Sequence, residues 1–348
     1  THSYITNRLK RLVYLFTTIL SLIVFLFAFL FFNSTISSWF ENSDSSKSEV
    51  YIAVEKKTAL ESEMANFWKP AAIDSITDAA LKKQVEYGKE LIAHTSKYLG
   101  PNGIVKKITN GMNCNNCHLD AGTKAWGNNY GSVKSLYPKM RARSGQVENL
   151  YKRISDCIER SLNGQTLEED NKEMKAMIAY IEYIGKNVPK GQEAAAAGIY
   201  NLEYLERAAN PSKGKDLYNN KCASCHKANG QGTMAQDKKE YLYPPLWGKN
   251  SYNQGAGLYR ISRFAGYIKY NMPQGATYDN PQLSNEEAWD IASYVETQVR
   301  PIKDFSKDWP DISKKPIDHP FGPFSDKFTE KQHKFGPFEP IKKAHPKK

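Results

Sequence analysis

The residues with the most evident chemistry form two short clusters, Cys114-Asn115-Asn116-Cys117-His118 and Cys222-Ala223-Ser224-Cys225-His226. Two thiols three positions apart can each add to one vinyl group of the same porphyrin. The histidine that follows then lies beneath the iron as its proximal ligand. A lone C-x-x-C serves equally well as a redox dithiol or as half a zinc site. Two copies, each followed at once by His, argue against both. The sequence therefore predicts two covalently bound haem c groups. Cys114 and Cys117 attach one and Cys222 and Cys225 the other, with His118 and His226 on the irons.

The fifth cysteine, Cys157, belongs to neither cluster. An unpaired cysteine in an oxidising compartment needs either a role or burial. As a thiolate on haem iron it would lower the potential and make the site unlike a simple carrier. Arg141, Arg143, Arg153 and Arg160 surround it along the chain. Guanidinium forks pair with planar or tetrahedral anions, so this density points to an oxyanion cavity. The plainer reading is a buried structural thiol beside a solvated basic helix face. In the second half, Asn271-Met272-Pro273 places a thioether shortly before the last periodic segment. A Met/His pair raises the potential and suits electron transfer. Met234 competes with Met272 from a position nearer the haem motif. The first half holds Met112 and Met140 but no comparable Met-Pro.

The elements that must position these groups are helical. Tyr87–Ile92 begins a helix ahead of the first cluster, and Met174, Met177, Ile178, Ile181 and Ile184 form an apolar stripe at helical spacing after it. Gly214–Tyr218 leads into Cys222, and Ser284-Asn285-Glu286-Glu287 is a capping box opening a helix to about Val299. Helix, C-x-x-C-H, irregular chain, terminal helix is the order of a class I cytochrome c domain, and it occurs twice. The expected fold is mainly α, with two class I cytochrome c domains in tandem, an N-terminal transmembrane helix and an irregular C-terminal tail. The expected divisions are anchor 1–33, stalk 34–72, first haem domain 73–190, linker 191–210, second haem domain 211–300 and tail 301–348.

Leu12 to Phe32 is a mostly apolar run, with no charged residue between Arg11 and Glu41. About 20 residues span a bilayer core, so this is a membrane helix candidate. Arg8, Lys10 and Arg11 before it place the N-terminus in the cytoplasm. A cleaved leader is the competing reading, but the run is long for one and no A-x-A site follows. The expected location is a bacterial inner membrane, crossed once, with the haem domains in the periplasm. Net charge is +11, which suggests anionic partners: acidic cytochromes, lipid headgroups or anionic substrates. Nucleic acid is excluded by compartment and by the lack of a basic, aromatic-interleaved stripe. The tail repeats a hexapeptide, His319–Phe324 and His333–Phe338. Its Phe residues either dock on the chain's own domains or strap it to a partner, and its histidines are expected in solvent.

Around Cys157 the chain resembles a known family. Gly111–Gly122, Arg143, Arg153, Cys157 and Arg160-Ser161-Leu162-Asn163-Gly164 are similar to the dihaem thiosulfate dehydrogenases, over about Phe67 to Pro301. The resemblance implies a catalytic first haem with Cys157 as its second ligand. It implies substrate binding by Arg143, Arg153 and Ser161, and an electron-exit haem with Met272 as ligand. Some members carry Lys just before that methionine; here it is Asn271, and Lys269 is out of register. The implied reaction joins two thiosulfates into tetrathionate, in either direction, with a c-type cytochrome or membrane respiratory complex as electron partner. The runner-up is a membrane-tethered dihaem electron-transfer subunit without catalysis. A further rival is a relative of the sulfur-oxidising Sox cytochromes.

Overall fold

The computed structural model describes the backbone of residues 2–345 and the side chains of residues 5–33 and 54–345. Helix α1 (His2–Ala65) is continuous. No Gly or Pro occurs before Pro70, so nothing in the chain forces a break. The polar run expected as a stalk thus continues the helix, although the side chains of residues 34–53 lie outside the described ones. Its stretch Ile5–Asn33 has 29 residues and a mean hydropathy of 2.7, enough in length and composition to cross a membrane.

Phe67–Lys348 is a second compact unit and holds both C-x-x-C-H clusters. Two helix pairs organise it. Helix α2 (Ala79–Ala93) starts on Asp78, whose carboxylate accepts from Ala80 N and Leu81 N. It crosses α4 (Lys172–Ile184), capped by Asn171; α3 (Leu150–Arg160) lies between them in the chain. Helix α5 (Pro211–Lys221) likewise crosses α7 (Asn285–Glu296), while α6 (Ile261–Asn271) packs on α7. The capping box predicted at Ser284 and Glu287 is formed.

The same constraint acts at both crossings. A Cβ on Gly88 would lie 2.0 Å from Ala176 O, and one on Gly214 would lie 1.9 Å from Asp290 O. Only glycine lets the two backbones meet there. Each pair closes its own core, with Leu91, Met174, Met177 and Tyr180 in one and Tyr218, Trp289, Ile291 and Val295 in the other. Two short hairpins complete the unit. In one, β1 (Lys139–Arg141) pairs with β2 (Gln146–Glu148); in the other, β3 (Thr233–Met234) pairs with β4 (Tyr241–Tyr243).

Segments expected to be stalk, linker and tail are packed. Trp68 N donates to Ala195 O at 3.1 Å and its Nε1 to Asn187 Oδ1 at 3.0 Å, so residues 67–72 pack with the first half. In the 191–210 stretch, Ala196 O accepts from Trp126 N at 3.0 Å, and Leu202 enters the second core. The tail runs back over both halves. Asp308 holds Arg160 through two hydrogen bonds of 2.8 Å, and Trp309 N donates to Arg143 O at 2.7 Å. Farther on, Asp318 accepts from Arg260 Nε at 2.8 Å, Phe321 stacks on Tyr259, and Phe338, just before a short helix, and Ile341 within it enter the second core. Residues 346–348 of the tail lie outside the described ones.

The histidines expected in solvent are partly a correction. His319 and His333 are only 6% and 2% exposed. The reason is the aromatic repeat itself. Phe324 of the first copy stacks on His333 of the second at 3.8 Å, and Phe338 carries the second copy into the core. The copies therefore make unlike contacts, one of them with each other.

Removing residues 302–348 would strip Phe338 and Ile341 from the core and leave Arg160 and Arg260 without Asp308 and Asp318. Each lost apolar side chain costs about 2 kcal/mol, and a stranded buried cation a few more. The melting temperature of the truncated protein should fall by about 10 °C or more. An unchanged melting curve would mean that the tail is not part of the fold.

Candidate functional site

Each haem motif closes on itself by the same hydrogen bonds. In the first, Cys117 N and His118 N both donate to Cys114 O, at 3.1 and 2.9 Å. In the second, Cys225 N and His226 N donate to Cys222 O, at 3.2 and 3.0 Å. Both turns thus set two thiols and the following imidazole on one crevice. Asn113 and Asn116 add a reciprocal cap to the first turn, and Asn113 Oδ1 accepts from Ser96 N at 2.7 Å.

The imidazoles are set up as metal ligands. His118 Nδ1 donates to Asn128 O at 2.5 Å, and His226 Nδ1 donates to Pro244 O at 2.8 Å. A carbonyl can only accept, so Nδ1 carries the proton and Nε2 keeps its lone pair for iron. Burial holds His118 down to about 4 and lowers His226 as well, so both stay neutral at ordinary pH. No two of the cysteines are joined in a disulfide, so both pairs are available for thioether bonds.

The first crevice is lined by Cys114, Cys117, His118 and Tyr130, and from α3 and its end by Arg153, Cys157 and Ser161. These last three stand at helical spacings of four, so one stripe of α3 faces the crevice. Asn149 starts the helix by accepting from Lys152 N at 2.9 Å. Arg153 Nη1 donates to Cys157 Sγ at 2.9 Å. The Cys157 charge holds the Arg153 proton more tightly than usual, against the opposing pull of burial.

The four arginines divide. Arg160 is buried and taken by Asp308. Arg141 lies 3.7 Å from the buried carboxylate of Glu148 across the hairpin. Arg143 sits at the hairpin turn, with its guanidinium over the Trp309 ring at 5.8 Å. Burial, then Arg160 and Arg153, push it down to about 10. Among the described residues neither Arg143 nor Arg153 has a carboxylate within 4.0 Å. Two of the four therefore keep their charge for something else. Arg143 does not line the crevice with Cys157; it stands beyond it, beside Arg153 and Arg160.

The second crevice is lined by Cys222, Cys225, His226 and Met272. Met234, the competitor, is more than a third exposed on β3 and lines neither crevice. Lys269 points elsewhere and donates to Leu283 O, while Asn271 Nδ2 donates to Tyr267 O at 2.8 Å. Cys117 lines both crevices, so the first motif's second thioether position is also a wall of the other cavity. Tyr267 OH donates to Asn116 O at 3.1 Å across the same seam. This shared wall had no signal in the motif spacing, because it depends on how the halves pack.

Both crevices fit a haem: two unpaired cysteines, an imidazole with its lone pair preserved, and an apolar lining. Fold and sites together define a dihaem c-type cytochrome carrying two covalently bound haems. Residues 211–298 match the cytochrome c family, and residues 105–189 match the SoxA/TsdA cytochrome c domain. The chain is 38% identical over 231 residues to a thiosulfate dehydrogenase of Allochromatium vinosum, covering 65% of this chain and 82% of that protein. It is 36% identical over 237 residues to one of Psychrobacter arcticus, covering 68% and 69%. A solved structure of the thiosulfate dehydrogenase TsdBA from Marichromatium purpuratum, as isolated, superimposes with a TM-score of 0.63 at 31% identity. That match covers 69% of this chain and 50% of the other. The chain belongs to the thiosulfate dehydrogenase family and is an oxidoreductase.

Replacing Arg153 by Ala removes the hydrogen bond to Cys157 and one of the two unneutralised cations. Truncating one partner of a hydrogen-bonded charged pair costs about 2–5 kcal/mol, which is about thirtyfold to several thousandfold in kcat/KM. Steady-state kinetics on Arg153→Ala with thiosulfate should show that loss. Activity within twofold of the wild type would place Arg153 outside the reaction.

Proposed function

We propose that this protein oxidises thiosulfate to tetrathionate on the Cys157 side of the first haem crevice. The observation that carries the reading is the Arg153–Cys157 pair at 2.9 Å within the crevice of His118, with the unneutralised Arg143 beside it. In this reading His118 and Cys157 hold the first iron, and His226 and Met272 the second. Bound there, the haems supply acceptors for the two electrons that the reaction releases.

The protein's part is mainly electrostatic. Two dianions roughly 5 Å apart repel by about 3 kcal/mol even at the dielectric constant of water, and by more in a partly dry pocket. Arg153 and Arg143 offset that repulsion, and each fork can take two oxygens of a sulfonate. Ser161 donates a hydrogen bond to a third oxygen. The Cys157 sulfur forms a bond to the outer sulfur of one thiosulfate, with release of two electrons. The outer sulfur of a second thiosulfate then attacks that same atom. The new sulfur–sulfur bond completes tetrathionate, and Cys157 leaves as thiolate, stabilised by the Arg153 hydrogen bond. Charge balances: two dianions become one dianion and two electrons.

Helix α1 holds the protein in this account. Ile5–Asn33 spans a bacterial inner membrane once, with Arg8, Lys10 and Arg11 on the cytoplasmic side and the haem unit in the periplasm. Electrons leave from the second haem to a c-type cytochrome or a membrane respiratory complex. An electron carrier without catalysis has no use for a thiolate paired with arginine, and this is why the enzymatic reading is preferred.

Purified protein given thiosulfate and ferricyanide should form tetrathionate and ferrocyanide in a ratio of one to two. Cys157→Gly should abolish tetrathionate formation while dithionite still reduces the second haem and ferricyanide reoxidises it. Wild-type protein that cycles with dithionite but forms no tetrathionate would favour the carrier reading.

A further inference from the structure

The two family matches end at residue 298, yet the tail beyond them reaches the arginine cluster of the first half. Three tail residues meet there. Asp308 neutralises Arg160 with two hydrogen bonds of 2.8 Å. Trp309 donates its backbone N–H to Arg143 O at 2.7 Å and sets its ring 5.8 Å from the Arg143 guanidinium. His319 packs edge-on against that ring at 5.8 Å, and its pKa is pushed down to about 4 by burial and by cations including Arg143. Behind them, Pro310 covers the turn of the β1–β2 hairpin so closely that a Cβ on Gly145 would lie 2.6 Å from it. The tail therefore fixes the turn from which Arg143 projects.

Two neutral hydrogen-bond donors in this neighbourhood are sealed from solvent and have no acceptor in the protein, the indole Nε1 of Trp309 and the hydroxyl of Tyr137; Arg160 Nε beside them is likewise unpaired. Tyr137 belongs to the first half and feels the charges of Arg153, Arg141 and Cys157. A buried donor left unpaired is costly, and few survive in native proteins without a reason. Here both stand beside the two guanidinium groups that lack carboxylate partners. Each oxygen of a sulfonate can accept more than one hydrogen bond, so an anion bridging Arg143 and Arg153 keeps acceptor capacity for further donors.

We propose that the tail completes the substrate pocket: Trp309 forms its outer wall, and the Trp309 indole N–H and the Tyr137 hydroxyl donate to sulfonate oxygens of the bound anion. Asp308 is a positioning residue. By holding Arg160 it leaves Arg143 and Arg153 as the pair that meets substrate. This assignment rests on the reading of the Cys157 crevice as a thiosulfate pocket and extends it to a segment outside the family matches.

The test uses the full-length protein in detergent, with thiosulfate as the probe and ferricyanide as acceptor. Trp309→Phe keeps an aromatic wall and deletes only the N–H; Tyr137→Phe deletes only the hydroxyl. A hydrogen bond to a charged group is worth about a tenfold change in binding. Each variant should raise KM for thiosulfate about tenfold, with kcat little changed and with melting temperature and haem absorbance as in the wild type. Unchanged KM in both well-folded variants overturns the proposal while leaving the thiosulfate reading intact. A wild type without thiosulfate turnover overturns that reading first. If Trp309→Phe fails to hold haem, Tyr137→Phe decides alone: a raised KM supports the pocket and an unchanged KM overturns it.

Discussion

A half-buried guanidinium and a half-buried sulfur can coexist in this protein because each answers the other. Arg153 donates to Cys157 at 2.9 Å on the same face of α3. Removing water from a lone cation or a lone thiolate costs several kcal/mol, so either residue alone would be a liability in this crevice. Together they set a sulfur and a cation in the crevice of His118. The helix that carries them needs Asn149 at its start, a core side chain at Ile154 and Ile158, and Arg160 tied down at its end. The tail supplies that last tie through Asp308, so a segment far along the chain secures the helix that holds the sulfur.

The second half has different demands. Its crevice brings together an imidazole, two thiols and the Met272 thioether in a largely apolar wall, with Lys124 and Lys221 in the lining. Both halves nevertheless use one architecture, a helix pair crossing at a glycine. At Gly88 and Gly214 the opposing carbonyl stands where a Cβ would be. Any side chain would push the helices apart and open the crevice they enclose. Cys117 lines both crevices, so the two cavities share a wall.

Much of this was legible in the sequence, for physical reasons that differ by element. The haem motifs carry their chemistry in five contiguous residues; Arg153 beside Cys157 was legible as arginine density around a leftover cysteine, and Ser161 through the family resemblance. The capping box at Ser284 and Glu287 was equally local. What the sequence hid depends on long-range packing. Arg160 and Arg141 read as anion ligands, but Asp308 and Glu148 occupy them. His319 and His333 read as solvated because tails commonly are, and only the aromatic packing of Phe321, Phe324 and Phe338 buries them. The sealed donors of Tyr137 and Trp309 had no signature, since burial without a partner is a property of the folded state.

The central claim is that Cys157 is a charged sulfur at the first haem and Met272 a thioether at the second. Low-temperature electron paramagnetic resonance of the oxidised, full-length protein tests it most directly, because thiolate and thioether ligation give low-spin ferric signals of different anisotropy. The account predicts two signals, one of the thiolate type and one of the histidine–methionine type. Two signals of the histidine–methionine type, with none of the thiolate type, would contradict it.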